Sequence, residues 1–470
     1  MHFLARRLSS VALLAVLTLL ASPVAAQAPK TPWDSLARDL LRELVTINTS
    51  QSAGSTVIAA EAMAKRARVA GFPASDVVVV PTRPNKGNLI VRLRGRQTGK
   101  KPILLLSHID VVEAKAEDWT LPPFDFVEKE GIFYGRGVAD DKDESAIHLA
   151  LLFRLKAEKF VPDRDIIVAL TADEEGGPDN GVEWLLANRR ELIDAEFAFN
   201  EGGGGRIKDD RRLSHDVQAS EKKVQNWTLE ATNPGGHSSV PVKDNAITHL
   251  SDALVKLGAF DFPVRLNEVT RAYFTQLSTV TIGDIGEAMR AIVANPSDAA
   301  AARILSADPR YNSQLRTTCV ATMLEGGHAR NALPQRARAN VNCRILPDES
   351  PDSVKEVLTR LIANPKVTIT PAGEARNSPP SPLTPALMSE IARVTKAMWG
   401  DLPVIPTMST GATDGLYLRN AGIPTYGVSG LFYLDTGAHG MNERIPARAF
   451  YEGLEFMTRL VKSLTSGGVS

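Results

Sequence analysis

The chain has 470 residues, of which 43% are hydrophobic and 23% are charged. These proportions are typical of a soluble globular protein, and the length is enough for two or more domains. The 54 basic residues balance 54 acidic ones, so we expect no nucleic-acid partner and no attraction to an anionic membrane surface.

The N-terminal segment predicts export. Arg6 and Arg7 precede an apolar core over 11–20, and small residues follow up to Ala26. This order is typical of a secretory signal peptide, here 1–26, and implies a periplasmic or secreted protein. A membrane anchor is the alternative, but the apolar run is shorter than a bilayer span requires. The remaining sequence has no comparable apolar run, so we expect no membrane association after cleavage.

Strand and helix patterns alternate from Thr31 to about Asn200. Continuous apolar runs at 102–110 and 165–175 are separated by an amphipathic helix at 143–159. Apolar strands between amphipathic helices predict an α/β fold with a mainly parallel sheet and helices on both faces. The patterns assign 30–218 to the first part of this main domain.

The pattern changes after about Ala219. It reads as strand, helix, a long helical and polar stretch at about 258–314, two strands, helix and strand. Apart from the polar stretch, this is the order of a ferredoxin-like α+β unit, inserted over 219–373. The Pro- and Ser-rich segment 374–385 predicts a hinge, and the main domain resumes over 374–470.

Two cysteines, Cys319 and Cys343, lie in the two adjacent strand-like runs of the insertion. Export would permit a cross-strand disulfide between them. Two buried free thiols are an equally good interpretation.

Imidazole and carboxylate side chains follow the predicted strands of the main domain. They are His108, Asp110, Asp140, Asp141, Asp173, Glu174, Glu175, Glu201 and His439. Singly, each has an ordinary explanation, such as a helix N-cap for an aspartate. Because open parallel sheets bind ligands beyond the carboxyl ends of their strands, however, these groups are expected to converge. So many carboxylates would repel one another, and divalent cations would remove that repulsion.

The ligand chemistry favours two cations. Imidazole and carboxylate groups without thiolates suit zinc, manganese or cobalt. A single catalytic zinc takes three protein ligands, so five ligands from this set would fit two metals that share a carboxylate. His108 is then a ligand, and Asp110 is expected to hold its other ring nitrogen.

Seven motifs, in this order, resemble one enzyme family: "SHIDVV", "YGRGVADDK", "TADEEGG", "NEGG", "GGHSSVP", "NALPQRARANVNCRILP" and "HGMNE". The family is that of the dinuclear zinc metallopeptidases that include glutamate carboxypeptidase, carboxypeptidase S, carnosinase, aminoacylase and succinyl-diaminopimelate desuccinylase. The resemblance covers nearly the whole chain after the signal segment. It implies a catalytic main domain and an inserted lid or dimerisation domain, and hence a homodimer.

The resemblance also implies residue roles. Two zinc ions, replaceable by cobalt or manganese, would be bound by His108, Asp140, Glu175, Glu201 and His439. Asp140 would bridge both ions and begin a cis peptide with Asp141. Glu174 would be the general base, and Asp110 would orient His108.

The inserted domain would supply substrate contacts. His237 would stabilise the oxyanion, in many family members across a dimer, and Asn331 would contact the reacting carbonyl region. Arg344 would bind the free carboxylate of the substrate, a task suited to a bidentate guanidinium. Without the resemblance, His237 is a turn residue and Arg344 a solvated strand arginine.

The sequence therefore predicts an exported zinc hydrolase that cleaves an amide bond next to a free carboxylate. Its substrate would be a small peptide or an N-acyl amino acid. Carboxypeptidase activity is the leading interpretation, with N-acyl-amino-acid deacylase or dipeptidase activity as alternatives. A non-catalytic binding protein on the same fold is disfavoured because the base and all metal ligands are present.

Overall fold

The structure is a computed structural model and describes residues 29–96 and 99–467. The predicted signal segment 1–26 lies outside these ranges. Within them, no helix is both long enough and apolar enough to cross a membrane.

Thirteen α-helices occur in the described part of the chain. They are α1 (Pro32–Thr46), α2 (Thr56–Val69), α3 (Lys142–Ala157), α4 (Gly181–Asn188), α5 (Ala246–Gly258), α6 (Glu268–Leu277), α7 (Gly283–Ala294), α8 (Ala299–Ser306), α9 (Pro309–Leu315), α10 (Pro351–Ile362), α11 (Pro385–Trp399), α12 (Gly415–Asn420) and α13 (Ala447–Thr465).

Eighteen strands lie in the same ranges. They are β1 (Val77–Arg83), β2 (Lys86–Leu93), β3 (Ile103–His108), β4 (Val127–Lys129), β5 (Ile132–Tyr134), β6 (Ile166–Thr171), β7 (Phe197–Asn200), β8 (Gly204–Lys208), β9 (Arg211–Glu221), β10 (Lys223–Thr232), β11 (Gly236–His237), β12 (Thr318–Gly326), β13 (Ala332–Leu333), β14 (Arg336–Ile345), β15 (Val367–Ala372), β16 (Val404–Ser409), β17 (Thr425–Gly427) and β18 (Arg444–Pro446).

The main sheet has nine strands, in the order β1, β2, β6, β3, β7, β17, β9 and β16, with β8 paired to β9. The neighbours β6, β3, β7 and β17 are parallel. Helices cover both faces, because alternate residues of β3 face opposite sides. Ile103 and Leu105 pack in the cluster that includes α1 and α3, whereas Leu104 and Leu106 pack in the cluster with α4 and α12. The predicted α/β fold is confirmed.

The inserted sheet has the order β12, β14, β10, β15, and every neighbouring pair is antiparallel. Helices α5 and α10 cover one face and bury Trp227, Leu250 and Leu358. In chain order the sheet reads strand 2, 3, 1, 4 with two helices on one side, which is the ferredoxin-like arrangement. A disulfide joins Cys319 to Cys343, its direct partner across β12 and β14.

The helical stretch inside the insertion packs elsewhere. Helices α6 to α9 form a cluster around Phe274, Met289 and Leu305, and this cluster includes Ile405 of β16. It therefore covers the edge strand of the main sheet. The main sheet reaches Glu221 before the inserted sheet begins at Lys223, and the boundaries at 218/219 and 373/374 remain predictions.

Candidate metal centre

The candidate metal centre is built at the carboxyl ends of β3, β6 and β7. His108 is the last residue of β3, Glu201 directly follows β7, and Glu174 and Glu175 follow β6 after a turn. Asp173 has φ 61°, so the chain leaves the strand direction there. Glu174 and Glu175 therefore lie in a bend beyond the regular strand.

Asp140 lies between two imidazoles. Its Oδ1 is 3.1 Å from Nε2 of His108, and its Oδ2 is 3.1 Å from Nε2 of His439. Nε2 of His439 is also 2.9 Å from Oε1 of Glu175. The peptide bond between Asp140 and Asp141 is cis, as the resemblance implied.

Two groups of potential ligands therefore share Asp140. One group is His108, Asp140 and Glu201, and the other is Asp140, Glu175 and His439. Within each group one ligand atom per residue lies within 4.8 Å of the others. This donor set fits two divalent cations with a carboxylate between them. The structure thus brings together all five predicted ligands.

The electrostatics of the site favour positive charge. Burial raises the pKa of Glu174 to about 9, and the nearby carboxylates of Asp414 and Glu175 add to the rise. Burial and then repulsion by Glu174 raise the pKa of Glu201 well above its ordinary value. The hydrogen bond with Asp140 and then the charge of Glu175 raise the pKa of His439 to about 9, against the effect of burial. Cations bound here would offset the same repulsion.

Asp110 acts on the turn as well as on the histidine. Its carboxylate accepts hydrogen bonds from the backbone N–H of Glu174, at 3.2 Å, and of Glu175, at 3.1 Å. Nδ1 of His108 is 3.1 Å from the backbone oxygen of Asp110 but 3.7 Å from its carboxylate. The ring is thus held by the main chain of Asp110, while the side chain fixes the two glutamates.

The predicted substrate residues lie apart from this cluster. His237 is exposed, and its Nδ1 is 2.7 Å from Oγ of Ser239. Asn331 is exposed too, and its backbone oxygen accepts from the N–H of Ser238 at 3.0 Å. Arg344 reaches the main domain, where its Nη1 donates to the carbonyl of Thr410 at 3.2 Å. Among the described residues, no hydrogen bond joins any of the three to the metal ligands.

Sequence reasoning missed a second layer of buried residues. Glu443, the last residue of the "HGMNE" motif, accepts from the backbone N–H of Gly137 at 3.0 Å and of Ala139 at 2.9 Å, and pairs with Arg136 at 2.7 Å. It therefore fixes the loop that presents Asp140. The motif contained this residue, but nothing in its spacing indicated the loop that it would hold.

Asp414 is a second missed residue. It is buried, and it accepts from Oγ1 of Thr171 at 3.1 Å, at the end of β6. Burial raises the pKa of Asp414 to about 6.

A cavity of about 830 Å³ lies elsewhere, beside Trp399, Phe432 and Arg448. None of the metal-group residues lines it. Ligand geometry, not cavity size, therefore locates the chemistry.

A comparison with protein families matches residues 104–463 to "Peptidase family M20/M25/M40". The chain belongs to this peptidase family. The family resemblance drawn from the motifs is thereby confirmed, and the metallopeptidase and amidohydrolase class with it.

Curated relatives carry several activities in their names. The human "N-fatty-acyl-amino acid synthase/hydrolase PM20D1" is 28% identical over 79% of this chain and 76% of its own length. The mouse "Aminoacylase-1" is 29% identical over 93% of this chain and 96% of its own. The "Probable carboxypeptidase S-like 2" of Dictyostelium discoideum is 27% identical over 80% of this chain and 74% of its own length.

Solved structures share the fold. A "M20 family metallo-carboxypeptidase Sso-CP2" from Sulfolobus solfataricus has a TM-score of 0.66 at 19% identity and covers 91% of this chain and 98% of that chain. Human carnosine dipeptidase 1 has a TM-score of 0.63 at 15% identity and covers 91% of this chain and 96% of that chain. At these identities the likeness concerns architecture alone.

Proposed function

We propose that the protein is a zinc-dependent hydrolase that cleaves an amide bond next to a free carboxylate. The observation that supports this most is Asp140, whose two carboxylate oxygens each lie 3.1 Å from a different histidine. In this arrangement His108 and Glu201 would hold one ion, Glu175 and His439 the other, with Asp140 shared. The ions would polarise the amide carbonyl and acidify water.

Glu174 would move the proton. It is adjacent to the ligand Glu175, and the backbone N–H groups of both are fixed by Asp110. Beside two cations its carboxylate would be ionised, so it would take a proton from water and deliver it to the leaving amine.

Arg344 would bind the free carboxylate. Burial lowers the pKa of its guanidinium, which nevertheless stays charged at neutral pH. Nη1 donates to the carbonyl of Thr410 and Nε to Oδ1 of Asn342, each at 3.2 Å, which leaves the N–H groups of Nη2 to face a ligand. His237 and Asn331 would contact the carbonyl side of the substrate.

The scissile bond is that of an N-acyl amino acid or of the last residue of a peptide. Both substrates end in the carboxylate that Arg344 would bind. The names of relatives support each reading, since they include N-acyl amino acid hydrolases and carboxypeptidase S-like proteins. Dipeptidase activity remains the third candidate.

We further propose a homodimer that is exported. On the edge strand β12 the exposed fractions of Val320, Met323 and Leu324 are 59%, 64% and 69%. Apolar side chains along an unpaired strand edge are unfavourable in an isolated chain and favour a partner. A second copy would cover this edge and bring a second His237 towards the metal centre. Export rests on the sequence of 1–26.

The test is metal analysis together with a substrate panel. The panel contains N-acetyl amino acids, N-blocked dipeptides, free dipeptides and the same compounds as C-terminal amides. Two zinc ions per chain and chelator-sensitive turnover of the acids, but not the amides, are expected. Failure to bind metal would overturn the proposal.

A further inference from the structure

The first and the last of the chain crossovers between the main domain and the inserted sheet lie side by side. The outgoing crossover runs from β9, which ends at Glu221, to β10 at Lys223, and the return runs over 373–384. The N–H of Ser381 donates to the carbonyl of Ala219 at 2.8 Å. Ser378 and Ser381 are buried, so the predicted hinge segment is anchored at both serines.

Glu221 occupies the point where these crossovers meet. Its side chain is fully buried and pairs with Arg419, which is also buried. Oε1 accepts from Oγ of Ser378, on the return crossover, at 3.0 Å. Oε2 accepts from Oγ1 of Thr413 at 3.1 Å. One carboxylate therefore ties both crossovers to the loop 409–414.

Loop 409–414 connects Arg344 of the inserted sheet with the end of β6, beside the metal centre. At one end the carbonyl of Thr410 accepts from Arg344 of the inserted sheet, at 3.2 Å. At the other end Asp414 accepts from Thr171, the last residue of β6, at 3.1 Å. The chain continues from Thr171 to Glu174 and Glu175. Thr413, which Glu221 holds, lies between these two ends.

We propose that Glu221 is a positioning residue, which fixes loop 409–414 and thereby sets the place of Arg344 relative to the metal centre. This rests on the proposed function of Arg344 as the carboxylate clamp. Glu221 touches neither the ligands nor any predicted substrate residue directly, so it acts through Thr413 and Arg419. The negative charge of the carboxylate strengthens these hydrogen bonds, because charge-assisted hydrogen bonds are stronger than neutral ones.

The decisive variant is Glu221→Gln, which keeps the shape and removes the charge. We expect KM for carboxylate-bearing substrates to rise about tenfold, the effect of losing one charge-assisted contact that orients a binding group. kcat should stay within about twofold and metal content should be unchanged, since the ligands are untouched.

A matched control separates positioning from stability. Asp165, directly before β6, pairs with Arg92 of β2 at 3.1 Å, and both side chains are largely buried. Asp165→Asn should lower the melting temperature without a change in KM. The double variant Glu221→Gln/Arg419→Gln removes the uncompensated buried guanidinium and should recover stability while KM stays raised. If KM recovers together with stability, the positioning role is wrong.

Hydrogen exchange gives a second test of the role of Glu221, and this test needs no substrate. The backbone N–H groups of 409–414 should exchange at least about tenfold faster in Glu221→Gln than in the wild type, while Asp165→Asn leaves them unchanged. Unchanged exchange in this loop would overturn the inference. If the wild type cleaves no member of the panel, the proposed function fails and exchange still decides the role of Glu221.

Discussion

Arg344 of the inserted sheet donates a hydrogen bond to the carbonyl of Thr410 in the main domain, at 3.2 Å. This contact places the guanidinium at the junction of the two domains, although Arg344 belongs to β14. An arginine in a strand is ordinarily solvated. Here it is half-buried and anchored through two nitrogens, by Thr410 and Asn342, and Nη2 is left to bind a carboxylate.

Replacement of Arg344 by methionine should raise KM for substrates with a free carboxylate by about 10- to 100-fold, the value of a hydrogen bond to a charged group. The corresponding C-terminal amides should show no loss. Steady-state kinetics on both series measures the difference. Arg336→Gln on the same strand is the control, because Arg336 is exposed. Equal losses on acids and amides would contradict the clamp.

Glu174→Gln should lower kcat by about 10²- to 10⁴-fold, the usual range for a general base, with two metal ions retained. The backbone hydrogen bond from residue 174 to Asp110 does not depend on the side chain, so the turn is kept. Single-turnover kinetics measures the loss of rate, and elemental analysis of the same sample measures the retained metal. An active Glu174→Gln protein would contradict the assigned role.

Asp140→Asn should abolish binding of both metal ions, whereas Glu201→Gln should reduce binding to one. The reason is that Asp140 belongs to both ligand groups and Glu201 to only one. Elemental analysis after dialysis gives the number of ions per chain. The melting temperature should fall further in Asp140→Asn than in Glu201→Gln, because bound ions stabilise the folded state. Two ions in Asp140→Asn would exclude a bridging role.

The metal ligands were predictable because they follow the strongest sequence signals. His108, Glu175 and Glu201 come directly after apolar runs or a short turn, and such runs are the core strands β3, β6 and β7. The place where parallel strands end is fixed by the fold class. Periodicity and the end-of-strand rule therefore predict that these groups lie close together, as they do in the structure.

Elements with weak hydrophobic contrast were missed. Strand β9 buries Ser214, His215, Gln218 and Glu221, which are polar and hide the strand pattern. Helix α2 buries mostly alanines, so it has little amphipathic contrast. The role of β9 in the main sheet, and with it the place of Glu221, depends on long-range pairing that a local pattern does not encode.

Complementation tests the proposed dimer. We expect Glu174→Gln and His237→Ala to be inactive alone, and a mixture allowed to exchange subunits to recover activity. Half of the dimers are then mixed and one of their two sites is intact, so recovery should approach about a quarter of wild-type activity in a twofold dimer. Leu324→Lys on edge strand β12 should prevent recovery by keeping the chains apart. No recovery between the two inactive variants would contradict a shared site.

His215 should make folding sensitive to pH. It is fully buried, with Nδ1 2.8 Å from Oγ1 of Thr395 and rings of Trp399 and Phe456 around it. Burial lowers its pKa to about 4, below the value of about 6.5 expected in the unfolded chain. The unfolded state therefore binds a proton first as pH falls.

The stabilisation from neutral His215 is complete above about pH 6.5 and is lost progressively down to about pH 4, by roughly 3 kcal/mol in total. Urea unfolding at several pH values should show this loss in the wild type, and the slope should be smaller in His215→Gln. The exposed His328 gives the control, since His328→Gln should leave the slope unchanged. The comparison of variants removes the contribution of the metal-site carboxylates, because the wild type and both variants share them. An identical slope in His215→Gln would show that His215 does not control the acid limb of stability.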